Sequence, residues 1–482
     1  MRKSGILLPV FSLPDPHGKG CFSAAAYDFI DKLAAAGQSY WQVLPITIAG
    51  KGDSPYSPLS CFAGEPRKID PETLVRKGLI SADDTGLGRT AMLRKAFAAF
   101  RQGTGSQAFQ VFCTDNAVWL DRFALYAALR DKFHRQPWID WPEEYRTRQA
   151  DAIEEARVVF AEDILYHKWV QFEFDAEWQA LRSYAHGKGI DIIGDIPIYA
   201  SYESADCWAS PHLFKLNAEL RPETVSGCPP DDFNADGQIW ENPIYDWDAI
   251  RADDYNWWVA RIRRMFHLYD VVRLDHARGF ESFYQIPVST MRAADGWWTK
   301  GPGSDFFEAM DRRLGKCRFI AEDLGYMTPE VEEMILRAGL PNMKIAQFGC
   351  ESGVDSDHRP ENVLERSIIY TGTHDNNTTV GWYETLPAQW MRDNVDSYVR
   401  YYLGRSDYTA VDVCDLLIER SMASRARLCI IPMQDYLHLG SEARVNVPGV
   451  SEGNWQWQMA GGAFTDELAA RILTLTKESG RI

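Results

Sequence analysis

Apolar residues along the 482-residue chain fall into two alternating rhythms. Stretches with apolar positions three or four apart predict amphipathic helices, and short β-branched runs between them predict strands. A helix capped by Ser23 runs through Ala36 and stops at Gly37, and Tyr40–Ile46 follows as a strand. Asp175–His186 is helical, Gly187 and Gly189 end it, and Ile190–Ile196 follows. The same order recurs with a helix around Asp253–His267 before Asp270–Asp275, and with Asp305–Leu314 before Cys317–Asp323. Thr328-Pro329-Glu330 opens a helix with Pro at its first position, which ends near Gly339 and leads to Met343–Phe348. Val411–Ala423 precedes Arg427–Met433, and Gly5–Val10 and Ser367–Thr373 bring the strands to eight.

These strands are too apolar for a sheet with one wet face and suit one buried on both. Interleaved with helices, they predict an α/β chain folded as a (β/α)8 TIM barrel. Residues 349–366 break the rhythm and read as irregular. A barrel of this kind takes about 250 residues, so the remainder is insertion. Residues 47–189, after the second strand, are rich in Ala, Arg and helical periodicity and predict a mostly helical insertion subdomain. Residues 200–248, rich in Pro, Asp, Asn and Trp, predict a loop insertion over the C-terminal face. The expectation is a single catalytic barrel domain over 1–482 carrying both.

Charge and cysteine usage narrow the partners. Asp+Glu outnumber Lys+Arg 68 to 51, a net charge of −17. Such a surface repels phosphate backbones and anionic lipid, so neither nucleic acid nor membrane is expected as a partner. The nine cysteines are scattered singly with no CxxC pair, the pattern of reduced thiols in a cytoplasmic chain and not of a zinc site. The apolar run Ile6–Phe11 is too short for a signal peptide, and no stretch approaches the ~18 apolar residues of a membrane span. With 17 Trp, 21 Tyr and 23 Phe, the chain has rings for a large core or for packing on pyranose faces, and composition alone does not choose.

In this kind of barrel the chemistry sits where strands end. Asp195 ends the third strand, Asp275 the fourth and Glu322 the fifth; Asp375 lies just past the seventh and Asp435 just past the eighth. Helix capping or a surface ion pair explains any one such acid, but five on one rim point to a site. In Arg273-Leu274-Asp275-His276, positions two apart face the same way, so Arg273 and Asp275 share the barrel interior. The guanidinium would keep Asp275 ionised, as a nucleophile requires, while Glu322 in a drier pocket would have a raised pKa. Two carboxyls held differently can divide nucleophile and acid/base roles.

Thr371–Thr378 puts His374, Asp375 and two amides on one loop. No HExxH and no second His at ligand spacing accompany them, so no metal site is expected, and His374 and His276 read as hydrogen-bond donors to hydroxyls. Gly103-Thr104-Gly105-Ser106-Gln107-Ala108 has GxGxxA spacing but follows a helical stretch instead of a strand. Gly449-Val450-Ser451-Glu452-Gly453 matches GxSxG, but no His lies after residue 438 to serve it.

Taken together, Gly52-Asp53-Ser54-Pro55-Tyr56, Gly194-Asp195-Ile196-Pro197-Ile198-Tyr199, Pro229-Pro230-Asp231 through Gly237-Gln238-Ile239-Trp240, Arg273–His276, Ala321–Gly325, Thr371–Thr378 and Glu442-Ala443-Arg444-Val445-Asn446 carry a resemblance. In this order, through nearly the whole chain, they resemble the 4-α-glucanotransferases called amylomaltase or disproportionating enzyme, glycoside hydrolase family 77. The resemblance implies transfer of α-1,4-glucan segments between maltooligosaccharides or starch-like glucans, with glucose or oligosaccharides as acceptors and no cofactor. The implied mechanism is a retaining double displacement through a glucosyl-Asp ester.

It further implies Asp275 as nucleophile, Glu322 as acid/base, and Asp375 as the acid that holds sugar hydroxyls and stabilises the transition state. Arg273 and His374 match residues lining the same subsite, with Asp195 beside them and Tyr56 stacking on the ring at the cleavage point. His276, Gln238, Trp240 and Asn454 match acceptor-side or neighbouring contacts. The chain departs from the family at Asp232, where an aromatic residue is expected, and at Glu241, where Gly is. Both lie in the cleft-covering loop Ser226–Pro243, whose Pro229, Pro230, Phe233 and Trp240 would keep water from the ester. Two rival readings stand beside this one. An α-amylase-like hydrolase shares the first half-reaction and differs in products. A non-catalytic glucan-binding barrel has no reason to keep a nucleophile and an acid together.

Overall fold

The computed structural model describes residues 2–103, 106–230, 236–450 and 452–482. Its strands are β1 (Lys3–Leu7), β2 (Tyr40–Gln42), β3 (Asp191–Ile196), β4 (Thr224–Cys228), β5 (Gln238–Pro243), β6 (Val271–Leu274), β7 (Ser282–Pro287), β8 (Trp297–Lys300), β9 (Phe319–Ala321), β10 (Met343–Ile345), β11 (Ile368–Tyr370) and β12 (Leu428–Pro432). Eight of them form one sheet in the order β10-β11-β12-β1-β2-β3-β6-β9, with parallel pairing throughout. A parallel bridge between Ala321 and Asn342 joins its two edges and closes a barrel. All eight strands read from the sequence are present in it.

Alternation along these strands builds two cores. Leu7, Ile193, Val271, Ile320, Met343, Ile345, Ile368, Tyr370, Leu428 and Ile430 pack on one another inside the barrel. Their alternates, among them Ile6, Trp41, Ile192, Val272, Ile369 and Ile431, pack outward against the helices. Gly194, of the outward set, admits the ring of Tyr269 so closely that a Cβ would fall 2.1 Å from it.

The segment between β2 and β3 folds into helices, including Arg89–Gln102, Ala117–Lys132 and a long one, Ala161–Gly187. This last helix buries Trp169, Phe174, Trp178 and Leu181, and Trp178 Nε1 donates to Leu268 O at 2.8 Å, which ties it to the helix entering β6. Among the described residues no helix is long and apolar enough to cross a membrane. The helix Arg89–Gln102 precedes the GxGxxA match, whose Thr104 and Gly105 lie outside the described residues, as does Ser451 of the GxSxG match.

Within the insertion over 200–248 the structure adds two strands to the expected loops. That segment carries β4 and β5, which join β7 and β8 in an antiparallel sheet ordered β5-β4-β7-β8. Thr224-Val225-Ser226-Gly227-Cys228 has little strand signal of its own, and its partner Ser282–Pro287 lies beyond β6. The pairing is non-local, so no local pattern announces it. Asp231, Asp232 and Phe233, between β4 and β5, lie outside the described residues. The expected strand Met343–Phe348 is also shortened: it ends at Ile345, and Ala346–Glu351 turns into a short helix.

Candidate active site

The inward rows of the barrel continue beyond their last apolar layer into polar side chains. Val271, Ile193 and Ile320 point inward, so two positions on, Arg273, Asp195 and Glu322 do so nearer the mouth. Register places Asp195 opposite Arg273 and Leu274 opposite Ala321. Asp275 and Glu322, the next residues, therefore leave neighbouring strands side by side, and such strands lie about 4.8 Å apart. The backbone keeps this register past the strand ends. Asp275 N donates to Ile196 O at 3.1 Å, Glu322 N to Leu274 O at 3.1 Å, and Ala277 N to Glu322 O at 2.9 Å.

Arg273 is the centre of the charge network. Only 2% exposed, its Nη1 donates to both oxygens of Asp195 at 2.9 and 2.7 Å and to Asp275 Oδ1 at 3.0 Å. Tyr56 Oη donates to Asp195 Oδ2 at 2.7 Å, and the Tyr56 ring stacks on His374 with centroids 5.1 Å apart and planes at 10°. Glu322 accepts from His276 N at 2.6 Å on Oε2 and from Leu324 N at 2.9 Å on Oε1, which fixes the plane of its carboxyl. Asp375 Oδ1 accepts from Asn446 Nδ2 at 2.6 Å, and Oδ2 lies 3.3 Å from His374 Nε2.

The electrostatics correct one expectation. Burial pushes the Asp275 carboxyl up from the ordinary carboxylate range; Arg273 pulls it down, and Asp195, Glu322 and Asp375 push it up again, for a net rise. Arg273 alone would have held it low, but its Nη1 is shared with both oxygens of Asp195, and three carboxylates, Asp195, Asp275 and Glu322, draw on one guanidinium. Glu322 is also raised by burial, against the pull of Arg273 and its two backbone donors. Both carboxyls are thus harder to ionise than free ones, and Glu322 is one of the groups that raise Asp275. Burial pulls Arg273 down, but Asp195 and Asp275 more than offset this and it stays charged. Burial lowers His374, and lowers His276 to about 3 with help from Arg278, so both rings are neutral.

A second group lies beside Glu322. His276 has left-handed backbone, φ 49°, which turns its ring off the line of β6 to meet Trp240 edge to face at 4.8 Å. Trp240 Nε1 donates to Gln238 Oε1 at 3.0 Å, and His276 Nε2 is buried with no hydrogen-bond partner among the described residues. Asn454 is placed differently: its Oδ1 accepts from Val447 N at 2.9 Å and its Nδ2 donates to Val447 O and Val450 O, so the amide holds that turn. Glu241, at the position where the resemblance leads one to expect Gly, has φ 63° and pairs with Lys51 Nζ at 2.9 Å.

Of the five acids at strand ends, Asp195, Asp275, Glu322 and Asp375 converge. Asp435 does not: it is buried beneath the Thr371–Thr379 loop, accepting hydrogen bonds from Thr371 and Thr379. Leu428 and Ile430 are the inward residues of β12, so Asp435 falls in the outward row, and the turn after Pro432 into Met433–Tyr436 carries it away from the mouth. Sequence reasoning gave no role to Asn446 or to Arg444, whose Nη2 donates to Asp375 O at 2.7 Å. Their only signal was the Glu442–Asn446 motif. Among the described residues one group, His186, Asp191 and Asp270, brings three possible metal-ligand atoms together. It sits at the N-terminal ends of β3 and β6, away from the site, and Arg182, His186 and Arg318 already pair with its acids.

The sequence profile of glycoside hydrolase family 77, described as 4-alpha-glucanotransferase, matches residues 8–464. The chain is 40% identical over 499 residues to the 4-alpha-glucanotransferase of Streptococcus pneumoniae, covering 100% of this chain and 98% of that protein. It is 39% identical over 501 residues to the 4-alpha-glucanotransferase of Thermus thermophilus, covering 100% and 99%. Among solved structures, the amylomaltase from Streptococcus agalactiae in complex with acarbose matches with a TM-score of 0.94 and 34% identity over 100% of both chains.

Proposed function

We propose, for a chain that belongs to the 4-alpha-glucanotransferases of glycoside hydrolase family 77, a specific division of labour among the residues of its site. The chain is an enzyme that transfers α-1,4-glucan segments with retention of configuration. Asp275 attacks the anomeric carbon of the donor while Glu322 gives its proton to the departing glycosidic oxygen. The resulting glucosyl ester on Asp275 is then attacked by a hydroxyl of the incoming glucan, and Glu322 takes that proton back.

The observation that carries this reading is the register of β6 and β9, which sets Asp275 beside Glu322 with Arg273 bonded to Asp275. Both carboxyls are pushed up, and the reactive state is the one with a single proton, on Glu322 as the acid, and Asp275 ionised as the nucleophile. The two backbone donors to Glu322 occupy one site on each oxygen and leave room for that proton and the leaving oxygen. Asp375, oriented by Asn446 and His374, holds hydroxyls of the sugar under attack, and the Tyr56–Asp195–Arg273 chain supports the floor of the same subsite.

Donors are maltooligosaccharides and longer α-1,4-glucans; acceptors are glucose and oligosaccharides, received on the side lined by His276, Trp240 and Gln238. The ring of Trp240, held by Gln238 and packed on His276, supports a stacking surface there. The nine cysteines, scattered singly along the sequence with no CxxC pair, favour a cytoplasmic location.

The test is incubation of the purified protein with maltotriose and separation of products by size. Glucose together with maltotetraose and longer chains is expected. Glucose and maltose with nothing longer would make hydrolysis the dominant reaction, and no change with a folded protein would favour the binding-protein reading.

A further inference from the structure

The loop that carries His374 and Asp375 is fastened from beneath at both ends. It leaves β11 at Thr371 and enters the helix Thr379–Glu384. In the sheet β11 lies between β10 and β12, and one buried side chain comes from just past each neighbour. From the β12 side, Asp435 Oδ2 accepts from Thr371 Oγ1 at 2.6 Å and from Thr379 Oγ1 at 2.7 Å, and Oδ1 accepts from Thr379 N at 2.7 Å. From the β10 side, Gln347 Nε2 donates to Asn377 O at 3.0 Å and to Thr379 Oγ1 at 3.3 Å, and Gln347 N donates to Thr371 O at 3.2 Å. The Thr379 hydroxyl thus accepts from Gln347 and donates to Asp435, a continuous chain across the base of the loop.

The fit is close. Gln347 and Asp435 are each 1% exposed, and a Cβ on Gly372 would fall 2.9 Å from Gln347 Nε2. Above the chain, Asn376 Oδ1 accepts from Thr373 N and Thr373 Oγ1, and Asp375 N donates to Thr373 Oγ1 at 3.2 Å. Neither Asp435 nor Gln347 is bonded to Asp375 or His374; they hold the segment on which those two ride.

We propose that Asp435 and Gln347 are positioning residues that set Asp375 and His374 against the sugar under attack. This rests on the reading of Asp375 given above. A displacement of about 1 Å at a reacting group costs on the order of 100-fold in rate. Asp435→Ala is therefore expected to lower kcat with maltotriose by about 100-fold, with KM changed less than about threefold. Asp435→Asn keeps an oxygen for Thr379 N and an amide facing two hydroxyls that can rotate to accept. It should recover kcat to within about tenfold of the parent. In an Asp375→Asn background, Asp435→Ala should add little further loss, because both act through one group.

Circular dichroism and melting establish folding first. If Asp435→Ala does not fold, Thr371→Val, which removes one donor at nearly constant shape, takes its place with a smaller kcat loss expected. An unchanged kcat in the folded variant, an Asn variant as impaired as the Ala variant, or fully additive losses with Asp375→Asn would each overturn the proposal. If Asp375→Asn alone retains turnover, the reading of Asp375 fails, and that result does not depend on Asp435.

Discussion

Glu177 lies on the long helix of the insertion, 6% exposed, with Oε2 accepting from Asp70 N at 2.7 Å and Oε1 without a partner. Burial pushes its pKa up to about 8 from 4.5, against the Asp70 N–H and Lys77, with Asp70 and Glu173 pushing the same way as burial. An unfolded chain ionises this group from about pH 4.5, whereas the folded chain keeps the proton until about pH 8. Between those values the folded state holds one more proton than the unfolded, so stability falls as pH rises and levels off above the folded pKa. At about 1.4 kcal/mol per pH unit, the loss is on the order of 5 kcal/mol as an upper bound.

Glu177→Gln removes that proton exchange. Its carbonyl can take the Asp70 N–H, but its amide places donors where Oε1 has no partner, at a cost of about 1 kcal/mol or more. The variant should match or slightly trail the parent at pH 5 and exceed it by about 2–4 kcal/mol at pH 8.5. Apparent melting temperatures of both proteins at the two pH values measure this. Comparing them at each pH cancels Lys68, which burial lowers to about 7 and which acts in the opposite sense above that pH. A variant-minus-parent difference that is the same at pH 5 and 8.5 would refute the reasoning.

Asp275→Asn is expected to cut glucose release from maltotriose by at least about 1,000-fold, with the melting temperature kept or raised because a half-buried carboxyl among three others loses its charge. A variant that still turns over within tenfold would remove Asp275 from the nucleophile's place. With both carboxyls raised, kcat/KM should peak above the ordinary carboxylate range, and Glu322→Gln should abolish its alkaline limb while slowing a fluoride donor, whose leaving group needs no proton, far less than maltotriose. A profile already falling within the ordinary carboxylate range contradicts the assignment. Glu241→Gly relieves the left-handed backbone at φ 63°, about 1 kcal/mol, and gives up an exposed ion pair with Lys51 worth less. The melting temperature should hold or rise slightly, and a clear fall would show that the pair with Lys51 outweighs the strain.

What the sequence determined by itself was what short-range physics encodes. Strands buried on both faces must be apolar runs, so β1, β2, β3, β6, β9, β10, β11 and β12 stood out, and with them the ends at which Asp195, Asp275 and Glu322 emerge. Alternation then set Arg273 and Asp275 on the inner face, because a strand's side chains switch sides at every residue.

The rest was decided by residues that meet only after the barrel closes. The sheet of β4, β5, β7 and β8 depends on partners separated by the β6 strand, and Asn446 reaches Asp375 from 71 positions away. Asp435 stays off the mouth because it falls in the outward row of β12 and is taken up beneath the neighbouring loop by Thr371 and Thr379. The charge on Asp275 followed neither its own neighbours in sequence nor Arg273 alone. It is set by how many carboxylates the packing gathers around one buried guanidinium, and that number exists only in three dimensions.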